Sequence, residues 1–200
     1  MKVICIGRNY SEHAKELNNP VSDEPVFFLK PDTAVLKDNA AFYHPDFSAD
    51  IHHEIELVLR VSKAGKHISE EFAHNYIDAI SVGIDFTARD VQQKCKEKGL
   101  PWEKAKAFDG SAPIGVFVPF DADKEYTFSL VVNGERRQTG NSSDMLFSFR
   151  QIIAYISQFV TLKTGDFIFT GTPSGVARVN IGDTLDAKLE EHSLLHFRVL

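Results

Sequence analysis

Two cysteines in 200 residues, Cys5 and Cys95, are too few and too far apart for a disulfide framework or a cysteine metal cluster. They read as reduced thiols. No uncharged run approaches the roughly 18 residues of a membrane helix, which excludes a helical span. The first residues carry one lysine and a five-residue apolar stretch that breaks at Gly7-Arg8, too short for the apolar region of a signal peptide. The expected location is the cytoplasm. A net charge of −6 and the lack of any lysine/arginine block argue against nucleic acid as the main partner, which leaves a small molecule as the expected ligand. Repeats, low-complexity tracts and linkers are also missing, so residues 1–200 read as one domain. With 43% apolar residues the chain can bury a core without disulfide or metal staples.

What is present is mainly β, with peripheral α-helices. Short runs rich in Val, Ile and Phe between turn signals predict strands near 2–6, 26–30, 54–61, 80–86, 113–118, 127–132, 135–139, 166–170, 184–189 and 195–200. Asn133-Gly134 between two of them signals a hairpin, because both residues tolerate the positive φ of a type I′ turn. Asn9 followed by Glu12 resembles a capping box opening a helix to about 18, and Ser69 is placed to cap another to about 77. Two more helices fit 88–98 and 149–160. The last carries Ile152, Ile153, Ile156, Phe159 and Val160 at core-facing spacing.

Within HHEIELVLR, residues 52–60, strand alternation sends Ile55, Leu57 and Leu59 to one face and His52, Glu54 and Glu56 to the other. Two carboxylates side by side form either a solvated strand face or half of a cation site. Asp85, near the end of the apolar strand in VGIDFTARD, is a poor β-former and supplies a third carboxylate. Together the three suit a hard divalent cation such as Mg²⁺ or Mn²⁺. Arg89 and Gln92, three apart at a helix start, either grip a carboxylate-bearing substrate or form an exposed face. Lys104 and Lys106 flank a turn after Pro101-Trp102, where surface charge is the competing reading and the tryptophan reads as packing. FTGTPSG, residues 169–175, offers backbone N–H groups and hydroxyls to an anion but lacks the GK[ST] of a phosphate loop. His13 and Glu16 share a helical face, as a general-base dyad or a surface pair.

The order and spacing of GRNYxxHxxE, EPVFFLKP, HHEIELVLR, GIDFTARDVQ, LPWEKAKAF and FTGTPSGV resemble the fumarylacetoacetate hydrolase family across the chain. The likeness is closest to the compact acylpyruvate hydrolase and oxaloacetate decarboxylase branch. It implies a mixed β-roll with peripheral helices, a homodimer, and Mg²⁺ or Mn²⁺ on Glu54, Glu56 and Asp85. It also implies oxyanion stabilisation by Lys106, substrate contacts from Arg89, Gln92, Thr172 and Arg8, and a His13–Glu16 dyad on a mobile lid helix within residues 1–20. Lys104 has no role in that likeness. The expected activity is metal-dependent C–C hydrolysis of acylpyruvates, 2-oxo acid substrates, with possible decarboxylation of oxaloacetate. An isomerase or decarboxylase of unsaturated dicarboxylates shares the metal site without the attacking water, and a non-catalytic metal-binding domain is the reading from another class.

Overall fold

The computed structural model describes residues 1–12 and 23–200. Its strands are β1 (Val3–Gly7), β2 (Val26–Lys30), β3 (Val35–Leu36), β4 (Ile51–His53), β5 (Ile55–Val61), β6 (Ile77–Ile84), β7 (Thr87–Ala88) and β8 (Ala112–Pro113). They continue with β9 (Val118–Pro119), β10 (Thr127–Val132), β11 (Glu135–Asn141), β12 (Phe167–Phe169), β13 (Ala177–Arg178), β14 (Thr184–Leu189) and β15 (His192–Arg198). A six-stranded sheet in the order β2-β1-β12-β5-β6-β9 is mixed, with β1 and β12 parallel and its other pairs antiparallel. A second sheet, β11-β10-β14-β15, is antiparallel throughout. This is the mixed β-roll with peripheral helices that the sequence implies.

Both faces of the larger sheet are buried, and β1 shows how. Ile4 and Ile6 enter the main core, while their neighbours Val3 and Cys5 enter a second cluster with Val58, Phe167 and Phe169. Ile55, Leu57 and Leu59 of β5 join the main core beside Phe128, Leu130, Leu185, Ala187, Leu195 and Phe197 of the second sheet. All are buried, and each of the Ile, Leu and Phe side chains stabilises the fold by about 1.5–3 kcal/mol. A strand covered on both faces cannot carry a solvated carboxylate row, so Glu54 and Glu56 lie inside.

Several local expectations change. Asn133 and Gly134 have φ of 52° and 82°, and Val132 pairs with Glu135 as a two-residue hairpin requires. The 69–77 segment is a 3₁₀ helix over Glu70–Tyr76, and Ser69 makes no side-chain cap. The helix Phe149–Phe159 opens on a capping box between Ser148 and Gln151 that the sequence reading passed over. Its Ile152, Ile153 and Ile156 are buried as expected, but Phe159 is 56% exposed and packs against the rings of Phe27 and Tyr155 instead. The Asn9 side chain is tied to distant backbone. Its amide nitrogen donates to the carbonyls of Phe147 and Thr170 at 3.1 and 2.8 Å, and its oxygen accepts from Phe147 N–H at 2.7 Å. The expected 9–18 helix, including His13 and Glu16, otherwise falls largely outside the described residues.

Candidate active site

Register brings the carboxylates together. Ile55 pairs with Ile84 and Glu56 with Gly83 across β5 and β6, and Asp85 N–H donates to the Glu54 carbonyl at 2.8 Å just beyond the ladder. Glu54, in the break between β4 and β5, and Glu56 therefore converge with Asp85 at one end of the sheet. One ligand oxygen from each lies within 4.8 Å of the others, and all three side chains are buried. His52 does not join them: on β4 its Nε2 lies 3.0 Å from Asp50, while His53 Nδ1 lies 2.9 Å from Gln138 Oε1.

Burying three carboxylates without counter-charge would cost several kcal/mol each. Lys106 Nζ donates to Glu54 Oε2 at 2.7 Å and Asp85 Oδ2 at 2.8 Å, and Arg89 Nη2 donates to Glu54 Oε1 at 2.5 Å. Lys30, which closes β2, puts its wholly buried ammonium 2.7 Å from Asp85 Oδ1 and donates to the Ser111 carbonyl at 2.8 Å. Glu56 has only the Gly171 N–H, at 2.7 Å, and makes no ion pair among the described residues. Burial, then Asp85, then Glu54 push its carboxyl well above the ordinary range. Burial alone would lower Lys106, but Asp85 and Glu54 outweigh it and push it up to about 12. Lys106 is therefore a fixed cation at neutral pH.

This donor set fits a divalent cation. Three negative charges already have three cationic neighbours, yet Glu56 has none of them in contact, and Asp85 Oδ1 has the Lys30 ammonium beside it but accepts no hydrogen bond among the described residues. An all-oxygen cluster with an unneutralised carboxylate is what Mg²⁺ or Mn²⁺ prefers.

The 170–173 loop forms one wall. Gly171 carries the Glu56 hydrogen bond at φ 104°, and a Cβ built there would stand 2.6 Å from Asn9 Cβ. Gly171→Ala is therefore expected to lose about 1–3 kcal/mol. At about 2–4 °C per kcal/mol for a chain of this size, calorimetry should show a clear fall in Tm. An unchanged Tm would mean that Asn9 does not pin this loop. Next to Gly171, Thr172 Oγ1 accepts from Gln138 Nε2 at 2.9 Å; Gln138 also binds the Pro173 carbonyl and accepts from Ile55 N–H.

Arg8, Phe28, Arg89, Gln92, Lys96, Trp102, Lys106 and Thr172 line one pocket with the three carboxylates. Arg89 Nη1 donates to Gln92 Oε1 at 2.8 Å, so the helix-face pair points inward. Lys106 sits on a one-turn helix, Glu103–Lys106, where the sequence suggested a turn, while Lys104 is exposed. Trp102 lines the pocket as well as packing on Phe28. His13 and Glu16 lie outside the described residues. The sequence reading missed Lys30 and Gln138. A lysine ending the apolar run VFFLK before Pro31 was a usable signal for Lys30; nothing in ERRQTGN marked Gln138.

A family model described as Fumarylacetoacetate (FAA) hydrolase C-terminal matches residues 2–200. Oxaloacetate tautomerase YcgM of Escherichia coli is 44% identical over 197 residues, covering 96% of this chain and 90% of that protein. Mouse oxaloacetate tautomerase FAHD1, mitochondrial, is 42% identical over 200 residues, covering 98% and 90%. The structure of fumarylpyruvate hydrolase from Pseudomonas aeruginosa in complex with Mn²⁺ and pyruvate superposes with a TM-score of 0.95 at 37% identity, covering all of this chain and 89% of that one.

Proposed function

The chain belongs to the fumarylacetoacetate hydrolase family, and on that premise we propose that it is a divalent-metal-dependent enzyme of short 2-oxo acids, whose reaction is keto–enol tautomerisation of oxaloacetate. The observation that carries this is the buried triad in which Glu56 has no cation partner among the described residues while Lys106 stands charged beside it. The names of the E. coli and mouse relatives support oxaloacetate, and the Mn²⁺ in the Pseudomonas structure supports a metal.

Glu54, Glu56 and Asp85 would hold the Mg²⁺ or Mn²⁺, which when bound supplies Lewis-acid stabilisation of negative charge on the 2-oxo oxygen. Lys106 spends two of its three protons on Glu54 and Asp85 and keeps the third for that developing oxyanion. Gln92, its carbonyl occupied by Arg89, turns its amide N–H groups to the substrate. Thr172 accepts from Gln138 at 2.9 Å and makes only a long 3.5 Å contact to the Pro173 carbonyl, which its O–H would exchange for the substrate carboxylate. Phe28, whose ring centroid is 5.3 Å from Lys106 Nζ, and Trp102 give the pocket an apolar wall that limits water. To His13, oriented by Glu16, we assign the movement of the C3 proton.

Hydrolysis of acylpyruvates is the second reading, and the pyruvate in the Pseudomonas hydrolase structure favours it. There His13 would deprotonate a water that attacks the distal carbonyl, and C–C cleavage would give pyruvate and a carboxylic acid. The isomerase alternative shares its proton shift with tautomerisation, and the enzyme relatives leave the non-catalytic reading without support. We also infer a cytoplasmic homodimer; the buried free thiols Cys5 and Cys95 suit a reducing compartment, and light scattering measures the mass.

His13→Ala tests the assignment of the base. A general base contributes about 10²–10⁴-fold. Tautomerisation and acetylpyruvate hydrolysis should fall by that order, with Mn²⁺ affinity unchanged. Decarboxylation of oxaloacetate, which needs chiefly the electron sink, should fall far less. Equal losses in all three would mean that His13 closes the site and that the base lies elsewhere.

A further inference from the structure

One pocket residue has no part in the chemistry above. Lys96 follows Arg89 by seven residues and Gln92 by four, so the three share a face of the helix Arg89–Lys98, and all three line the pocket. Arg89 is spent on Glu54, whereas Lys96 stands about 10 Å further along the helix axis at roughly 1.5 Å per residue. Its ammonium lies 6.0 Å from the Trp102 ring centroid, on the same aromatic wall. Lys30, Lys106 and Arg89 each pair with a triad carboxylate; Lys96 and the pocket-lining Arg8 form no salt bridge among the described residues. Lys96 is exposed as a residue, yet burial, then Arg89, then Arg8 lower its pKa, so its ammonium stands among like charges. An anion placed between Lys96 and Arg8 would relieve both.

We propose that Lys96, with Arg8, forms a subsite for a second carboxylate and makes the enzyme selective for 2-oxo dicarboxylates over 2-oxo monocarboxylates. The inference rests on the reading that the pocket takes 2-oxo acids at the triad. Lys30, Lys106 and Arg89 already match the three carboxylates in charge, so a divalent ion brings a positive excess to which Lys96 and Arg8 add, and a dianion offsets more of that excess than a monoanion. A monocarboxylate would leave them facing an uncharged chain end.

The test uses two five-carbon acids that differ only in the end group: 2-oxoglutarate, a dianion, and 2-oxopentanoate, a monoanion. Calorimetric titration of each into the Mn²⁺-loaded protein should give at least a tenfold preference for 2-oxoglutarate. Lys96→Gln should reduce that preference to near unity, and Lys96→Arg should restore most of it. Equal affinity of the wild type for the two acids, or an unchanged preference in Lys96→Gln, would overturn the proposal while leaving the 2-oxo acid reading intact. If neither acid binds in the presence of Mn²⁺, that reading falls and the subsite falls with it.

Discussion

Replacing Glu56 by glutamine is expected to change metal binding and metal-free stability in opposite directions. Among the described residues Glu56 is the triad member with no cation in contact, so a divalent ion meets the least neutralised charge there. Mn²⁺ and Mg²⁺ affinity should fall by more than about 100-fold, and turnover with it. The metal-free protein should become more stable. A carboxyl whose folded pKa is raised contributes stability below its ordinary value near 4.5 and loses it as pH rises through the folded value. At neutral pH the wild type therefore carries a penalty that glutamine, still able to accept from Gly171 N–H, removes. Calorimetric metal titration and a thermal scan read the two effects on one preparation. Asp90→Asn is the control, since Asp90 binds Ser48 Oγ and the N–H groups of Ala49 and Val91 rather than the triad. Unchanged affinity in Glu56→Gln would remove Glu56 from the ligand set.

Lys106→Met should have the largest effect on the fold. The substitution keeps an unbranched side chain, one atom shorter, but leaves Glu54 Oε2 and Asp85 Oδ2 without a cation, and breaking a buried pair in this way costs about 3–5 kcal/mol. The Tm of the metal-free protein should drop by about 6–20 °C at 2–4 °C per kcal/mol. Because a divalent ion supplies counter-charge to the same oxygens, saturating Mn²⁺ should recover part of the loss. Turnover should not recover, since removing an oxyanion donor costs about 10²–10³-fold in kcat. A Tm deficit that Mn²⁺ leaves untouched would show that Lys106 and the ion do not share Glu54 and Asp85.

Residue pattern revealed more of the site than of its supports. The carboxylates stood out because acidic residues at 54, 56 and 85 interrupt otherwise apolar strands, but it was the family resemblance that made them a ligand set. Alternation alone left a solvated face open for Glu54 and Glu56, because it separates the two faces of a strand but does not say that both are covered. Here the second cluster around Val58 and Phe169 covers the other face. The break at Glu54 was also hidden: HHEIELVLR reads as one strand, yet β4 pairs with β7 and β13 while β5 pairs with β6 and β12. Two-residue strands such as β7 and β13 are too short to show periodicity, and the 113–118 strand breaks into β8 and β9. Asn9 looked like a cap because its local sequence fits one, but its amide is committed to residues 147 and 170, more than 130 positions away. Gln138 is the same kind of case: a polar residue whose value lies wholly in distant partners.

The most direct measurement follows the enol form of oxaloacetate by its ultraviolet absorbance in a stopped-flow mixer, with protein, Mn²⁺ and a chelator control. Binding alone would not establish turnover, and decarboxylation is slow to separate from its uncatalysed background. Conversion of enol to keto should accelerate in proportion to protein, require Mn²⁺ or Mg²⁺, and vanish with chelator and in Glu56→Gln. Acceleration that persists in the chelator, or a wild-type rate no greater than that of free Mn²⁺, would contradict the account.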